Sequence, residues 1–399
     1  MGATFVVDAP RAREEWETYA RILMQSLVGN VPTGADWMTN PQRRVFDQGT
    51  VRLVREGEHV IGGLTSFDMG QYWGGRSQRC AAVSAVAIAP EHRGRGAARV
   101  LLEQSLREAR ESGRAISALY PATQALYRKL GYELAGTSMM GRAPISAFTA
   151  TESTLGMRVF EPRDFDAVRA IYVERAITHE GWLDRSEAFW TKRIVEAYSG
   201  PCHGYVVTDG DRIDGYIFFR QTDGAGKAYD LVATDIGARS RAAWLRLATF
   251  LAGHRSMAGA LVFRTGATQL PFGLLDEVRD VIFDRRLDWM LRILDVPAAL
   301  QHRGYLKSIR GEVRFAVRDS LVSENQRAWH LRVEDGHGVV SAGDRADVTL
   351  DVRGLAALYA GYHSAHDATM CGLVEGDRGS LELLASLFAG RPAGLPDMF

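Results

Sequence analysis

The sequence predicts a mixed α/β (α+β) protein of three domains, and three observations carry that expectation. The chain has 399 residues, where one domain takes ~100–200. A strand–turn–strand motif followed by an apolar strand and a helix occurs twice within the first 290 residues. Beyond residue 291 the pattern changes to short alternating strands mixed with helices. Hydrophobic residues at 46% and charged residues at 24% suit a globular chain and exclude a disordered or fibrous one. Lys+Arg and Asp+Glu are both 48, so no bulk attraction to nucleic acid or anionic membrane is expected. No apolar run approaches the ~18 residues of a membrane span. The first twenty residues, MGATFVVDAPRAREEWETYA, turn acidic and helical where a signal peptide needs an apolar core. Cys80, Cys202 and Cys371 are too few and too scattered for a disulfide framework or a zinc knuckle. The expectation is a cytoplasmic protein with no nucleic-acid or membrane partner.

RLVREGEHVIGGL (52–64) reads as a hairpin turning at Glu56–Gly57. YVVTDGDRIDGYI (205–217) is its second copy, with Gly57 on Gly210, Glu58 on Asp211, Val60 on Ile213 and Gly62 on Gly215. VAIAPEHRGRGAARVLL (86–102) finds an echo in LVATDIGARSRAAWLRL (231–247), where Ala97 and Ala98 fall on Ala242 and Ala243. Two similar domains in tandem explain both matches, and the boundaries expected are 1–150, 151–291 and 292–399. In the third, Val313, Phe315 and Val317 alternate as in a half-buried strand. AWHLRVEDGHGVVSAG (328–343) is a hairpin turning near Asp335–Gly336, and 346–352 is a short strand. Residues 353–363 and 381–390 have helical spacing.

The motif that carries chemistry follows AAVSAVAIA (81–89), a continuous small-apolar run expected of a buried strand. Pro90-Glu91-His92 breaks it, and Arg93-Gly94-Arg95-Gly96-Ala97-Ala98 opens a helix that closes at Gly113. Glycines clear side chains where a ligand approaches closely, and the N–H groups of a first helical turn point at phosphate oxygens. Arg93, Arg95 and Arg99 add cationic donors. The spacing matches neither a dinucleotide nor a P-loop fingerprint.

Arg93-x-x-Gly96-x-Ala98 resembles the pyrophosphate-binding turn of the GNAT acyl-CoA N-acyltransferases. Tyr127-Arg128-Lys129-Leu130-Gly131-Tyr132 resembles the Y-x-x-x-G-Y/F ending of that fold. Two tandem GNAT-like domains and a C-terminal sterol-carrier-like α+β domain resemble the Eis (enhanced intracellular survival) acetyltransferases. That resemblance rests most on 86–96, 125–132, 291–305 and the terminal Phe399. It implies acetyl-CoA as co-substrate, no metal, a hexamer, and an amine acceptor such as an aminoglycoside or a lysine ε-amine. It assigns proton removal from the amine to the Phe399 carboxylate and protonation of the departing thiolate to Tyr127. Coenzyme contacts fall on Val86 and Ile88 and on Arg93, Gly94, Arg95, Gly96, Ala97 and Ala98. Asp36 and Trp37 are the acceptor-pocket candidates, with Asp284, Asp288 and Asp397 as further acidic groups.

The chemistry is consistent with those roles. Amine attack on a thioester needs a neutral amine and a donor for the departing sulfur. A terminal carboxylate, with an intrinsic pKa of ~3.3–3.7, is ionised at neutral pH, whereas Tyr at ~10 keeps its proton. Strand N–H groups beside the site hold the thioester oxygen as charge develops. Reading the two repeats without gaps puts Arg241 on Gly96 and Ala238 on Arg93, so the second domain is expected to bind no coenzyme. The alternatives are an acyltransferase for another metabolite amine or protein lysine, and a non-enzymatic binder of an apolar ligand. His363, His366 and Asp367 lack further ligands, His179-Glu180 lacks the second histidine of a zinc hydrolase, and Cys80 reads as a small buried hydrophobe.

Overall fold

The computed structural model describes residues 4–27, 49–187, 189–190, 202–224, 226–266, 275 and 278–399. The chain forms two compact units, residues 1–136 with 288–391 and 398–399, and residues 137–287 with 392–397.

The first unit begins with β1 (Phe5–Asp8), α1 (Arg13–Leu27), β2 (Thr50–Glu56), β3 (His59–Trp73), β4 (Arg76–Ile88), α2 (Ala97–Glu111), β5 (Ile116–Leu119) and α3 (Gln124–Arg128). β1 to β4 form an antiparallel ladder in sequence order, and β5 joins β4 in parallel. The β2–β3 turn closes at Gly57–Glu58, one residue later than expected, because Gly57 takes the left-handed conformation at φ +59°. Alternation along the strands sends side chains to both faces. Tyr19, Ile22 and Leu23 of α1 cover Leu53, Ala87 and Ala89 on one side. Leu101, Leu102 and Leu106 of α2 cover Val54, Ile61, Ala81 and Val83 on the other. Each leucine so buried contributes roughly 1.5–3 kcal/mol.

The chain passes to the second unit along β6 (Glu133–Pro144) and continues through β7 (Gly156–Val159), α4 (Phe165–Ala176), β8 (Leu183–Asp184), β9 (His203–Asp209), β10 (Arg212–Asp223), β11 (Tyr229–Ala238), α5 (Arg241–Ala252) and β12 (Ala258–Thr265). β9 and β10 repeat the first hairpin closely. Gly210 has φ +58°, and Asp214 is bulged out of register between Ile213 and Gly215, as Ile61 is between Val60 and Gly62.

The second echo holds only in part. Gly62 pairs with Ile88 and Gly215 with Ala238, and the next amides, Ala89 and Arg239, donate to the bulged residues Ile61 and Asp214, both at 2.8 Å. Ala238 therefore corresponds to Ile88, not to Arg93. Strand and helix are joined by residues 89–96 in the first repeat and by Arg239 and Ser240 alone in the second. The second repeat thus lacks the turn altogether, whereas the gapless reading placed an arginine in it.

β13 (Ile282–Ile293) re-enters the first unit at Asp288, where Met290 to Ile293 pair with β5. α6 (Val296–His302), β14 (Gly311–Arg318), β15 (Ala328–Glu334), β16 (His337–Ala342), β17 (Val348–Asp351), α7 (Val352–Tyr359), α8 (Ala365–Met370), β18 (Val374–Gly376) and α9 (Arg378–Leu387) follow. Their strands form a five-stranded sheet in the order β16-β15-β14-β17-β18. Val313, Phe315 and Val317 are buried as their alternation predicts, and Asp335 and Gly336 both take positive φ in the turn. The fold is the mixed α/β class read from the sequence. No helix among the described residues is long and apolar enough to cross a membrane.

Candidate active site

β4 and β5 run together only from Cys80–Ile116 to Val83–Leu119; β5 then ends while β4 continues to Ile88. Just past that point Ala85 takes φ +55°, and the register with β3 slips between Gly63–Ala87 and Thr65–Ser84. A non-glycine residue there costs on the order of 1–3 kcal/mol. The Tyr19 hydroxyl helps to hold it, donating to the Ala85 carbonyl at 2.6 Å. Ser84, Ala85 and Val86 are half-buried in a strand whose other residues from Cys80 onwards, Ile88 included, are buried. Backbone groups of β4 are thus presented beside a gap that β5 leaves.

The turn after β4 opens on a short 3-10 segment, Pro90–His92, and ends at Gly96, which precedes α2 without a side-chain cap. Gly94 and Gly96 have φ +75° and +92°, and a Cβ at either meets nothing within 4 Å. Backbone conformation, not packing against the described residues, requires glycine at both, and the first turn of the fifteen-residue helix carries no side-chain cap. Arg93, Arg95 and Arg99 part company here. Arg95 and His92 converge on Glu56, whose carboxyl Arg95 holds below its ordinary range. Arg99 pairs with Glu103 at 2.6 Å. Arg93 donates from Nε to the Ile88 carbonyl at 3.2 Å and is paired with no carboxylate among the described residues. Ala97 is buried in the core and Ala98 is half-buried.

Tyr127 lies on α3, its ring 5.9 Å from that of Tyr132 in an edge-on contact. Its carbonyl accepts from the Leu130 and Tyr132 amides, and Gly131 turns the chain at φ +85°. The Tyr132 hydroxyl donates to Ser117 Oγ at 2.7 Å, and Ser117 donates to the Ala81 carbonyl at 2.8 Å. The Tyr127 hydroxyl makes no hydrogen bond among the described residues, and burial pushes its pKa up to about 12. The Phe399 ring is buried 5.6 Å from that of Tyr120.

The tail before Phe399 departs from the expectation for Asp397. Ala393, Leu395 and Asp397 are buried in the second unit. Arg185 donates from Nε and Nη2 to the two Asp397 oxygens at 3.1 and 2.9 Å, and Tyr172 adds a bond at 3.2 Å. Asp397 is therefore committed to Arg185 and is not an acidic group open to an acceptor. Asp288 is half-buried in the first unit rather than part of the second. Asp36 and Trp37, and the side chain of Asp284, lie outside the described residues. His179 stacks on Trp182 at 4.6 Å, Asp367 accepts from the Ser364 hydroxyl at 2.8 Å while its amide donates to that Oγ at 3.0 Å, and the Cys80 thiol is pushed up to about 12 by burial. No group of three metal-ligating side chains occurs among the described residues.

Comparison with known proteins gives these elements a context. Residues 10–135 and 181–293 each match an acetyltransferase (GNAT) domain family, and residues 296–396 match a sterol carrier protein domain family. An uncharacterized N-acetyltransferase of Streptomyces coelicolor is 27% identical over 376 residues, 88% of either chain. The N-acetyltransferase Eis of Mycobacterium tuberculosis is 28% identical over 305 residues, 71% of either chain. A GCN5-related N-acetyltransferase from Anabaena variabilis, known as a crystal structure, superimposes with a TM-score of 0.90 at 29% identity, covering 99% of this chain and all of that one.

Proposed function

We propose, for a chain that belongs to the Eis family of GNAT acetyltransferases, that it moves an acetyl group from acetyl-CoA to a primary amine by direct attack. The observation that carries this reading is Tyr127, a buried residue whose hydroxyl keeps its proton at neutral pH and is bonded to none of the described residues.

The residues of the turn suit a phosphate-bearing coenzyme: left-handed glycines, an uncapped helix N-terminus, and Arg93 free of a carboxylate partner among the described residues. Gly94, Gly96, Ala97 and Ala98 would hold the pyrophosphate through backbone N–H groups, with Arg93 adding charge. Arg95 shapes the turn through Glu56 and reaches a phosphate only by sharing its guanidinium. The β4 backbone at Val86 and Ile88 would bind the arm carrying the acyl thioester, which is the electrophile the bound coenzyme supplies. The Phe399 carboxylate takes the proton from the ammonium form of the acceptor, and Tyr127 donates to the sulfur as the thioester bond breaks. No covalent bond to the protein is needed.

The acceptor classes to separate are aminoglycosides, other metabolite amines and protein lysines. Family resemblance supports a hexamer, and the absence of a disulfide among the described residues suits a reducing cytoplasm. The test is coenzyme A thiol release with a panel of all three acceptor classes, using protein whose intact mass fixes Phe399 as its last residue. Amine-dependent release above hydrolysis is expected. Absence of both release and acetyl-CoA binding would remove the reading.

A further inference from the structure

The sterol-carrier-like part of the chain contributes side chains to the segment that carries Tyr127. Glu133, only 1% exposed, is the focus. Arg128, the neighbour of Tyr127, donates to its Oε1 from Nε at 3.0 Å and from Nη2 at 2.8 Å. Arg353, 220 residues away on α7, donates to Oε2 from Nε at 3.0 Å and from Nη2. The Arg353 amide is itself fixed, donating to the N-cap carboxylate of Asp351 at 2.9 Å.

A second contact lies under the turn. A Cβ at Gly131 would sit 2.7 Å from Arg292 Nε and 3.0 Å from Val352 Cγ1, so this turn is pressed against both. Arg292 is fully buried, its Nη2 donating to both Asp319 oxygens at 2.6 and 2.7 Å, and Asn325 donates to Asp319 at 2.9 Å. Val352, Arg353, Asp319 and Asn325 all belong to the sterol-carrier-like part.

We infer that Arg353 and Glu133 are positioning residues that aim the Tyr127 hydroxyl, so that the sterol-carrier-like domain works as a buttress of the acid; this rests on the reading of Tyr127 above. Burying a carboxylate and half-burying two guanidinium groups is costly, and an apolar set of similar volume would hold the segment as firmly. What an ion network adds is direction. Nε and Nη2 of each arginine converge on one Glu133 oxygen, and such paired charge-assisted bonds restrict both distance and angle, whereas apolar contacts allow sliding. Tyr127 cannot be oriented through its own hydroxyl, which must stay available, so orientation has to come from its flanks. Tyr132 and Ser117 supply it from the strand side, and Arg128, Glu133 and Arg353 from the other.

The test compares the parent enzyme with Arg353→Ala, Arg353→Lys, Tyr127→Phe and the double variant Tyr127→Phe/Arg353→Ala in full steady-state kinetics. Arg353→Ala is expected to lower kcat about ten- to hundredfold while KM for acetyl-CoA stays within about twofold. Lysine, which keeps the charge but not the fork, should restore part of the loss. The double variant should be no slower than Tyr127→Phe alone, since nothing is left to aim. A kcat unchanged in Arg353→Ala, losses that multiply in the double variant, or a KM that rises in step with the fall in kcat would each overturn the inference. If Arg353→Ala does not fold, Glu133→Gln takes its place in the same four comparisons. A fully active Tyr127→Phe would overturn the inference by a different route, since it removes the acid itself.

Discussion

At the scale of single residues, proton inventory separates the two ends of the proposed reaction. Burial raises Tyr127 to about 12, so it is protonated throughout the working range. A group raised in this way loses its proton only as pH climbs toward that value. The rate at saturating acetyl-CoA should therefore show no descending limb up to about pH 10. A fall centred near pH 8 or 9, measured by thiol release across a buffer series, would assign the acid to another group. Arg185 offers a stability counterpart. Its guanidinium lies 3.8 Å from the centre of the Tyr172 ring and is paired with both Asp235 and Asp397, all of them buried. Arg185→Met removes the cation shared by two buried carboxylates and should cost about 3–5 kcal/mol by urea unfolding, more than Asp397→Asn, which leaves Arg185 paired with Asp235. Equal losses for the two would contradict this ordering.

At the scale of elements, the connection after the fourth strand distinguishes the two repeats. Deleting Pro90–Arg95 gives the first repeat the two-residue link of the second, Arg239–Ser240. The variant should keep its circular dichroism, because the link is exposed and the flanking strand and helix pack on their own cores. Its acetyl-CoA affinity should fall at least about a hundredfold by calorimetry. The hairpins were legible in the sequence because each turn needs one glycine at positive φ, and Gly57 and Gly210 mark the same place. The length of the connection was not. Gapless matching of Ala97-Ala98 with Ala242-Ala243 hid a six-residue difference, and only the paired bulges at Ile61 and Asp214 expose it. Tyr127 stood out through its motif. The Arg185–Asp397 pair spans 212 residues of sequence and the Arg353–Glu133 pair 220, and no periodicity reports contacts of that range.

At the scale of the molecule, the distribution of carboxylates sets the acid limit. Arg55 lowers Glu15 to about 2. Arg158 and Arg239 lower Asp164 and Glu174, and at Glu133 burial is outweighed by Arg128 and Arg353, so that it too is lowered. A carboxylate depressed in the folded state adds stability that is complete above its unfolded pKa and is lost as pH falls toward the folded one. Melting temperature should thus hold down to about pH 4.5 and drop steeply between there and pH 2. A flat profile over that interval, followed by calorimetry, would show that these pairs contribute nothing to folding.

The fifth strand has a history during synthesis that its finished state conceals. Ile116–Leu119 is bonded on one side to a strand that precedes it and on the other to Met290–Ile293. At ~5–20 residues per second, a ribosome needs roughly 8–34 seconds to add the ~170 residues between Leu119 and Met290. For that interval the nascent chain carries an apolar strand with one edge unbonded, a ready template for pairing with a neighbour on the same message. Expression yield should accordingly depend on holding factors that shield emerging chains and on temperature more than the stability of the finished protein would suggest.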